Sequence, residues 1–327
     1  MSLGLTGKSA LGTAAVVLAL MTALFICPAR AEAAKEEGGK FTFGVVFPPP
    51  LREEAHDYFI QLIDKVAEVV EKRAEIAIEM IKVDDEPHLY EAIKEGKLDS
   101  AFMYLPMAPL NAKKELPVEL EMVLNIQRKK GARYCVYSLS DEFSCELAKQ
   151  KKVFLSLYTY IPVREKLAGE GCDGPLWKIF GSLVKYDSTP AGFKAMVDGK
   201  IDLVATADFF ETTILGAKEM KGVKSVWCSD YLPLWGLYIH KDVRPEIREK
   251  VRKILLSIHN DPLLEEWRTF FIAVNAKFVP PDKNLKKNLS ELSERAAKNG
   301  WADELEQFAV KYYKTVPGET ITFESGK

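Results

Sequence analysis

Two segments with the same pattern of apolar and polar positions occur far apart in the chain. They run from Glu91 to Phe102 and from Lys194 to Ala205. In each segment an amphipathic helix ends at a glycine, Gly96 or Gly199, because glycine readily adopts the left-handed conformation of a helix C-cap. An apolar stretch follows directly, as expected for a buried strand. The repetition predicts two equivalent α/β lobes, with a ligand cleft where the carboxyl ends of their strands meet.

The spacing of apolar residues predicts alternating strands and helices along the rest of the chain. We expect strands at 40–47, 77–83, 98–104, 120–126, 133–139, 153–157, 183–186, 223–228 and 234–240, and the strand of the second repeat directly after Asp202, with its end at 206–208. We expect helices at 55–70, 88–95, 162–168, 188–199, 245–258, 262–271 and 285–312. Asp99 and Asp202, which occupy the same place in the two repeats, are interpreted as turn residues that precede strands.

This order of elements predicts an α/β protein of two lobes, each a mostly parallel sheet flanked by helices. The predicted domain organisation is a signal peptide at 1–31, a first part of lobe 1 at 39–133, lobe 2 at 134–231, and a return to lobe 1 at 232–327. Two strands, near 133–139 and 225–238, would form the hinge. The helices at the C-terminal end are expected to pack on the first lobe.

The beginning of the chain has the pattern of a cleavable secretory signal. Lys8 precedes a charge-free run from Ser9 to Pro28, and small residues occupy the signal-peptidase positions around Arg30. A retained anchor is an alternative, because the apolar run approaches the length of a membrane span. A lipid on Cys27 is another, although the bulky Ile26 before it disfavours lipidation. We expect a cleaved signal and a periplasmic protein.

The charge balance limits the kinds of partner. The formal net charge of the chain is -2, and loss of Lys8 and Arg30 with the signal would make it -4. This balance favours neither nucleic acid nor an anionic membrane as partner. We expect a monomer that binds a small molecule.

Motifs of enzymes and metal sites do not occur. The sequence contains no nucleophile elbow, zinc-protease motif, phosphate-binding loop or dinucleotide fingerprint, and its histidines lie apart from any nucleophile. Asp84, Asp85 and Glu86 are interpreted as a short solvated acidic turn rather than a metal loop. We expect neither an enzyme nor a bound cofactor.

The cysteines that follow the signal can form disulfides in an oxidising compartment. They are Cys135, Cys145, Cys172 and Cys228, which allow three pairings that the sequence does not separate. Cys135 with Cys145 is the pair closest in sequence, and buried free thiols are the alternative. Their spacing supports neither a structural zinc site nor haem attachment.

Several short segments have the order and spacing of a known family. They are Phe43 to Pro48, Ala92 to Phe102, Ala195 to Asp202, Val226 to Ser229, Ile239 to Asp242, Pro245 to Arg252 and Phe278 to Pro281. Together they resemble the phosphate, phosphite and phosphonate periplasmic binding proteins of ABC importers over nearly all of the mature chain. The resemblance implies two α/β lobes that close on a small ligand and deliver it to a membrane permease.

One segment departs from that family. Members that bind phosphate or phosphonate hold the oxyanion with a Ser-Thr-Ser-Gly-like loop after the first strand of the second lobe. The corresponding stretch here, Leu155 to Pro162, is shorter, lacks glycine and contains two tyrosines. No histidine follows Asp187 and Ser188, where several members place one on the ligand. The departures put phosphonate itself in doubt, and we expect an oxyanion or a small organic anion.

Candidate ligand-binding residues lie at the ends of predicted strands, where the cleft should be. They are Phe47, Tyr104, Ser156, Tyr158, Thr159, Tyr160, Ser188, Thr189, Thr206 and Asp208. Core packing is the alternative role of Phe47, and helix capping is the alternative role of Ser188 and Asp208. A separate hypothesis is an aromatic cage for an organic or quaternary-ammonium ligand, with Asp208 as counter-charge. Its aromatic members would be Tyr104, Tyr158, Tyr160, Tyr231 and Trp235.

The sequence therefore predicts a solute-binding protein that delivers its ligand to an ABC permease. An adaptor that reports its ligand to a membrane sensor kinase is the alternative role. In a thiol-based version of that role, Cys135 or Cys228 near the hinge would bind arsenite. A ligandless interaction protein is a third hypothesis, because the altered loop permits it.

Overall fold

The computed structural model describes residues 40–46, 53–125, 132–140, 142–208, 220–268 and 276–323, and the side chains of 53–60 are left out. The described residues from Phe41 onward form one compact unit. Within the described ranges, every helix is too short or too polar to span a membrane. The predicted signal peptide and Phe47 lie outside these ranges.

Strands and helices alternate through most of the described chain. The strands are β1 (Phe41–Val46), β2 (Ile78–Val83), β3 (Ser100–Tyr104), β4 (Val118–Asn125), β5 (Tyr134–Ser138), β6 (Lys152–Leu155), β7 (Ser182–Val184), β8 (Leu203–Ala207), β9 (Lys224–Cys228), β10 (Trp235–His240) and β11 (Lys277–Val279). The α-helices are α1 (Glu53–Ala74), α2 (Glu86–Lys94), α3 (Ala108–Lys113), α4 (Cys145–Ala148), α5 (Tyr160–Gly169), α6 (Leu176–Ile179), α7 (Thr189–Val197), α8 (Pro245–Ser257), α9 (Lys283–Lys298) and α10 (Trp301–Lys314). Turns of 3-10 helix lie at Leu105–Met107, Leu157–Thr159, Ile258–Asn260 and Pro262–Trp267.

Two sheets organise these elements, so the expected two-lobed α/β class is confirmed. The first has the strand order β11-β4-β10-β3-β1-β2, and the second has the order β7-β6-β8-β5-β9. Most strands of each sheet run in one direction, as expected, and each sheet also contains antiparallel pairs. In the first sheet β10 runs antiparallel to both β3 and β4. In the second sheet β5 runs antiparallel to both β8 and β9.

The two sequence repeats have the same structure in the two sheets. Gly96 and Gly199 end their helices with φ of 67° and 72°, as predicted for left-handed caps. The aspartates that follow accept backbone hydrogen bonds from a neighbouring parallel strand. Asp99 accepts from the Thr42 nitrogen at 2.9 Å, and Asp202 accepts from the Lys152 nitrogen at 2.8 Å. Each aspartate thus ties its turn to the beginning of β1 or β6.

The chain crosses between the sheets twice. It leaves the first sheet after β4 and enters the second at β5, and it returns between β9 and β10. An isolated antiparallel bridge pairs Ala132 with Leu232 on the two crossing segments. The predicted hinge strands mostly lie within the sheets, so the crossing point is at this bridge. The predicted lobe boundaries at residues 133 and 231 remain predictions.

Buried apolar residues join the lobes and cover the first sheet. One cluster includes Leu105 and Met107 after β3 together with Leu157 after β6. A second cluster packs α1 and α8 onto the first sheet. Beside the first cluster, Gly44 on β1 permits close packing, because a Cβ there would lie 2.5 Å from Cδ1 of Leu98, a member of that cluster.

The C-terminal helices differ from the predicted single helix at 285–312. Gly300, with φ of 74°, separates α9 from α10 and is the N-cap of α10. α9 packs on α3, and α10 contacts both α3 and α5. The chain then pairs with β7, since the Ile321 nitrogen donates to the Leu183 oxygen at 2.8 Å. The C-terminal segment therefore contacts elements of both lobes, whereas packing on the first lobe alone was expected.

Two disulfides connect the four cysteines of the described chain. Cys135 on β5 pairs with Cys228 on β9, where the strand register places them opposite each other. Cys145 pairs with Cys172. The alternatives of a Cys135–Cys145 pair and of free thiols are both wrong, because strand pairing rather than sequence distance brings Cys135 to its partner.

Two other predicted elements have different bounds. The helix expected at 162–168 begins at Tyr160, after the 3-10 turn Leu157–Thr159, and Pro162 lies in its first turn. The helix expected at 262–271 is a 3-10 helix over Pro262–Trp267, and residues 269–271 lie outside the described ranges. The prediction missed β11 and the short helices α3, α4 and α6, which are too short to show periodicity.

Candidate functional site

Tyrosines from the two sheets stack directly on each other. Tyr104 ends β3 in the first sheet, and Tyr158 lies in the turn after β6 in the second. Their ring centroids are 5.0 Å apart and their planes differ by 24°. The Tyr158 hydroxyl lies 3.2 Å from Thr206 Oγ1 on β8. The carboxyl ends of β3, β6 and β8 therefore meet, as the topology of two equivalent lobes predicts.

Part of the predicted aromatic cage assembles around this contact. The Trp235 ring centroid lies 5.7 Å from that of Tyr104. Tyr134, which the predicted cage did not include, has its ring centroid 6.3 Å from that of Tyr158. Tyr160 lies elsewhere, fully buried, and its hydroxyl donates to Glu304 Oε2 at 3.2 Å. Tyr231 is 47% exposed, with the guanidinium of Arg133 at 5.5 Å from its ring centroid.

Two threonines extend the site into the second sheet. Thr189 Oγ1, in the first turn of α7, lies 3.2 Å from Thr206 Oγ1, and both residues are buried. Ser188 is the N-cap of α7, since its oxygen accepts from the Ala191 nitrogen at 3.3 Å. This capping role is the one that the sequence offered as the alternative for Ser188.

The hydroxyls of Ser156 and Thr159 bind the backbone. Ser156 Oγ donates to the Ala205 oxygen at 3.1 Å, and Thr159 Oγ1 donates to the Ser156 oxygen at 2.7 Å. Both residues are buried. In this arrangement they hold the turn that carries Tyr158 against β8.

Asp208 is the partner of Arg133. Its Oδ1 accepts from the Arg133 backbone nitrogen at 3.0 Å, and its Oδ2 accepts from Nε at 3.0 Å. The carboxylate is buried, whereas the arginine side chain is about one-third exposed, at 32%. Asp208 therefore has a basic neighbour inside the protein, which weakens its proposed role as counter-charge to a ligand. The helix that Asp208 was expected to cap begins outside the described residues.

A buried carboxylate that the sequence interpretation missed lies beside these tyrosines. Asp85 caps α2 by accepting from the His88 nitrogen at 2.9 Å, and the next residue, Glu86, is only 2% exposed. The expected solvated acidic turn is thus wrong for Glu86. The informative signal was its position, three and four residues before the buried Leu89 and Tyr90 on α2, which places all three on one face of the helix.

The electrostatics of Glu86 connect it to the tyrosines. Burial raises the pKa of Glu86 to about 7, although a hydrogen bond from its own backbone lowers it, and the Asp85 charge adds a smaller increase. Burial raises the pKa of Tyr104, and the charges of Tyr158 and Glu86 raise it further. Burial also raises the pKa of Tyr312 on α10, again with contributions from Tyr158 and Glu86. Glu86, Tyr104, Tyr158 and Tyr312 therefore lie within electrostatic reach of one another.

The described ranges contain no arrangement of side chains suited to binding a metal ion. No group of three or more His, Cys, Asp or Glu side chains there is placed to hold a metal ion. The chemistry that the described groups offer is hydrogen bonding by hydroxyls, stacking on aromatic rings and one buried acid.

Solved structures of binding proteins share this architecture. The chain is similar to a binding protein component of an ABC phosphonate transporter from Pseudomonas aeruginosa, with a TM-score of 0.60, 14% identity, and coverage of 85% of this chain and 98% of that one. The fold is that of the two-lobed periplasmic binding proteins. A Xanthomonas citri protein solved with ATP has a TM-score of 0.62, 14% identity, and coverage of 82% and 98%.

A sulfonate-binding protein has the same fold. The periplasmic aliphatic sulphonate binding protein from Escherichia coli matches with a TM-score of 0.53, 13% identity, and coverage of 88% of this chain and 97% of that one. No protein-family model and no curated protein matches the sequence. The structural likeness therefore defines the fold, and the ligand has to be argued from the residues of this chain.

Proposed function

We propose that this protein is an extracytoplasmic solute-binding protein that holds a small ligand between its two sheets and delivers it to an ABC importer. The observation that carries the proposal is the stacking of Tyr104 on Tyr158, because it joins the carboxyl ends of strands from both sheets. The fold supports the same function. No chemical step is part of the proposal, and the partner is a permease in the inner membrane.

Ligand capture follows from contacts on both sides of the site. A ligand that touches Tyr104 in one lobe and Tyr158, Thr189 or Thr206 in the other favours the closed arrangement over an open one. The chain crosses between the sheets near Ala132 and Leu232, so rotation about these segments opens the site. The closed form then presents the surface that the permease recognises.

The thiol version of the sensing alternative loses its support. Cys135 and Cys228 form a disulfide with each other, so neither offers a free thiolate to arsenite. A sensor-kinase partner has no observation of its own in the described residues. We therefore propose delivery to an importer as the function, in a periplasmic protein made with the predicted signal peptide.

A ligand screen with matched variants tests the proposal. Purified mature protein is heated with phosphate, phosphite, methylphosphonate, methanesulfonate, arsenite and organic amines. We expect at least one to raise the Tm saturably, because a ligand at one hundred times its Kd stabilises by about 2.7 kcal/mol. Tyr104→Ala and Tyr158→Ala should each weaken that ligand tenfold or more. Leu147→Ala, at an exposed residue of α4, serves as control.

Two results of this screen count against the proposal. One is a protein that no compound stabilises, as expected of a ligandless interaction protein. The other is a ligand whose affinity is unchanged in both the Tyr104→Ala and the Tyr158→Ala variant, since it would bind away from the contact between the sheets.

A further inference from the structure

Glu86 carries a buried carboxylate oxygen that lacks a hydrogen-bond donor. Its Oε2 is inaccessible to solvent and accepts no hydrogen bond from the described residues. The hydroxyl of Tyr90, one helical turn further along α2, is also buried and has no hydrogen-bond partner among them. Buried polar side chains in native proteins are nearly always paired, so two together indicate a site that a ligand completes.

No positively charged side chain of the described chain compensates the carboxylate of Glu86, which is stabilised by a hydrogen bond from its own backbone. On α2, Tyr90 follows Glu86 by one helical turn, and Asp85, whose Oδ1 lies 2.7 Å from His88 Nδ1, directly precedes it. The charge of Glu86 also contributes to the raised pKa of Tyr104 on β3 and of Tyr312 on α10. The Nζ atom of Lys185 lies 5.2 Å from the ring centroid of Tyr312 and donates to the Thr315 oxygen at 2.8 Å. No basic side chain of the described chain contributes to the pKa of Glu86.

We propose that Glu86 recognises a small organic ligand with a protonated amine, which donates to Oε2 while its carbon part packs against Tyr104 and Tyr158. This inference rests on the proposed function and names the class of ligand. It replaces the expected oxyanion with a cation and assigns the counter-charge to Glu86 instead of Asp208.

Three physical arguments favour an ammonium group over other ligands. An isolated buried carboxylate is costly, and a cation that donates a hydrogen bond removes most of that cost. An anion at the same place would be repelled by Glu86 and Asp85. Tyrosine rings attract a cation through their electron-rich faces, by about 0.5–2 kcal/mol. A quaternary ammonium can contact the faces of the rings but has no N–H group to donate to Oε2, so a primary or secondary amine fits better.

Proton release gives the inference a specific signature. Because burial raises the pKa of Glu86 to about 7, its carboxyl is mostly protonated at pH 6 in the absence of ligand. An ammonium ion binds the ionised form, so binding releases close to one proton at pH 6 and few at pH 8. Below pH 7 the Kd should therefore rise by up to tenfold for each unit of decreasing pH.

Calorimetry with matched probes tests this recognition. The probes form two series: n-butylammonium, n-butanol and butyrate, and benzylammonium, benzyl alcohol and benzoate. We expect an ammonium ion to bind in a 1:1 complex, at least tenfold more tightly at pH 8 than the alcohol or carboxylate of its series. Titration at pH 6 in buffers of different ionisation enthalpy should show release of close to one proton.

Two glutamine variants separate recognition from a general charge effect. Glu86→Gln should weaken the ammonium ion tenfold to a hundredfold, as expected for loss of a charged hydrogen bond, and should abolish proton release. Glu91→Gln changes an exposed carboxylate on the same helix and should leave affinity unchanged. Circular dichroism of each variant verifies that it is folded.

The outcomes distinguish this inference from the proposed function. Tight binding of methylphosphonate or phosphate that depends on Tyr158 would overturn the amine inference and leave the solute-binding function standing. The inference is also overturned if neither ammonium probe binds, or if the Glu86→Gln variant binds an ammonium probe as tightly as the wild type does. Failure of every compound in the broader screen would remove the proposed function as well.

Discussion

Replacement of Glu86 by glutamine should change how the stability of the ligand-free protein depends on pH. The folded carboxyl has a pKa of about 7, compared with 4.5 for an ordinary glutamate. Between these values the folded state binds more protons than the unfolded state, so the free energy of unfolding of the wild type falls as pH rises through this window. The loss is about 3 kcal/mol, from a difference of about 2.5 pKa units at 1.36 kcal/mol each.

Glutamine cannot ionise, so Glu86→Gln should lack this loss. Urea unfolding at intervals from pH 4 to pH 8, followed by circular dichroism without added amines, measures it. The free energy of unfolding of the variant minus that of the wild type should increase by about 3 kcal/mol between pH 4 and pH 8, and most of the increase should fall between pH 5 and pH 7.

The control variant Glu91→Gln should show a difference that stays constant over the same range, because its carboxylate is exposed on the same helix. The reasoning is refuted if the Glu86→Gln difference is also constant with pH. Such a result would mean that Glu86 is solvated in solution and has an ordinary pKa.

Three further predictions concern stability and are measured by urea unfolding. Replacement of Cys145 and Cys172 by serine should lower the free energy of unfolding by about 2–4 kcal/mol, because the disulfide closes a loop with a sequence separation of 27 residues. An unchanged urea midpoint would argue that the bond is not formed. Gly192→Ala should lower the free energy of unfolding by about 1–3 kcal/mol, since the added Cβ would lie 2.4 Å from Phe154 Cδ1. An unchanged stability would mean that α7 packs on β6 more loosely than this distance indicates. Asp282→Ala should cost about 1 kcal/mol by removing the N-cap of α9, and an Asp282→Asn variant that is equally destabilised would contradict this explanation.

The fold could be predicted from the sequence where local chemistry decides the structure. Gly96 and Gly199 need a left-handed conformation, and the same pattern of helix, glycine, aspartate and apolar strand recurs around them. Each of these features acts within a few residues. They were therefore visible in the sequence. They predicted the two lobes, and they predicted that the strand ends carrying Tyr104 and Thr206 lie at the cleft.

The remainder depended on contacts between distant parts of the chain. Asp85 and Glu86 are adjacent acids, yet one caps a helix at the surface and the next turns into the interior, and only packing by other elements distinguishes them. The pairing of Cys135 with Cys228 depends on strand register across 93 residues. The electrostatic influence of Tyr158 and Glu86 on Tyr312 depends on where α10 packs. No pattern of neighbouring residues in the sequence shows which distant segments come into contact.

The central claim is that one solute binds between the two sheets and holds the lobes together. Spin labels at Lys94→Cys on α2 and Lys194→Cys on α7, both exposed positions, report the distance between the lobes by electron resonance. A saturating ligand from the screen should shift the distance distribution to a single shorter and narrower peak, and Tyr158→Ala should require more ligand for the same shift. A distribution that bound ligand leaves unchanged would contradict the account.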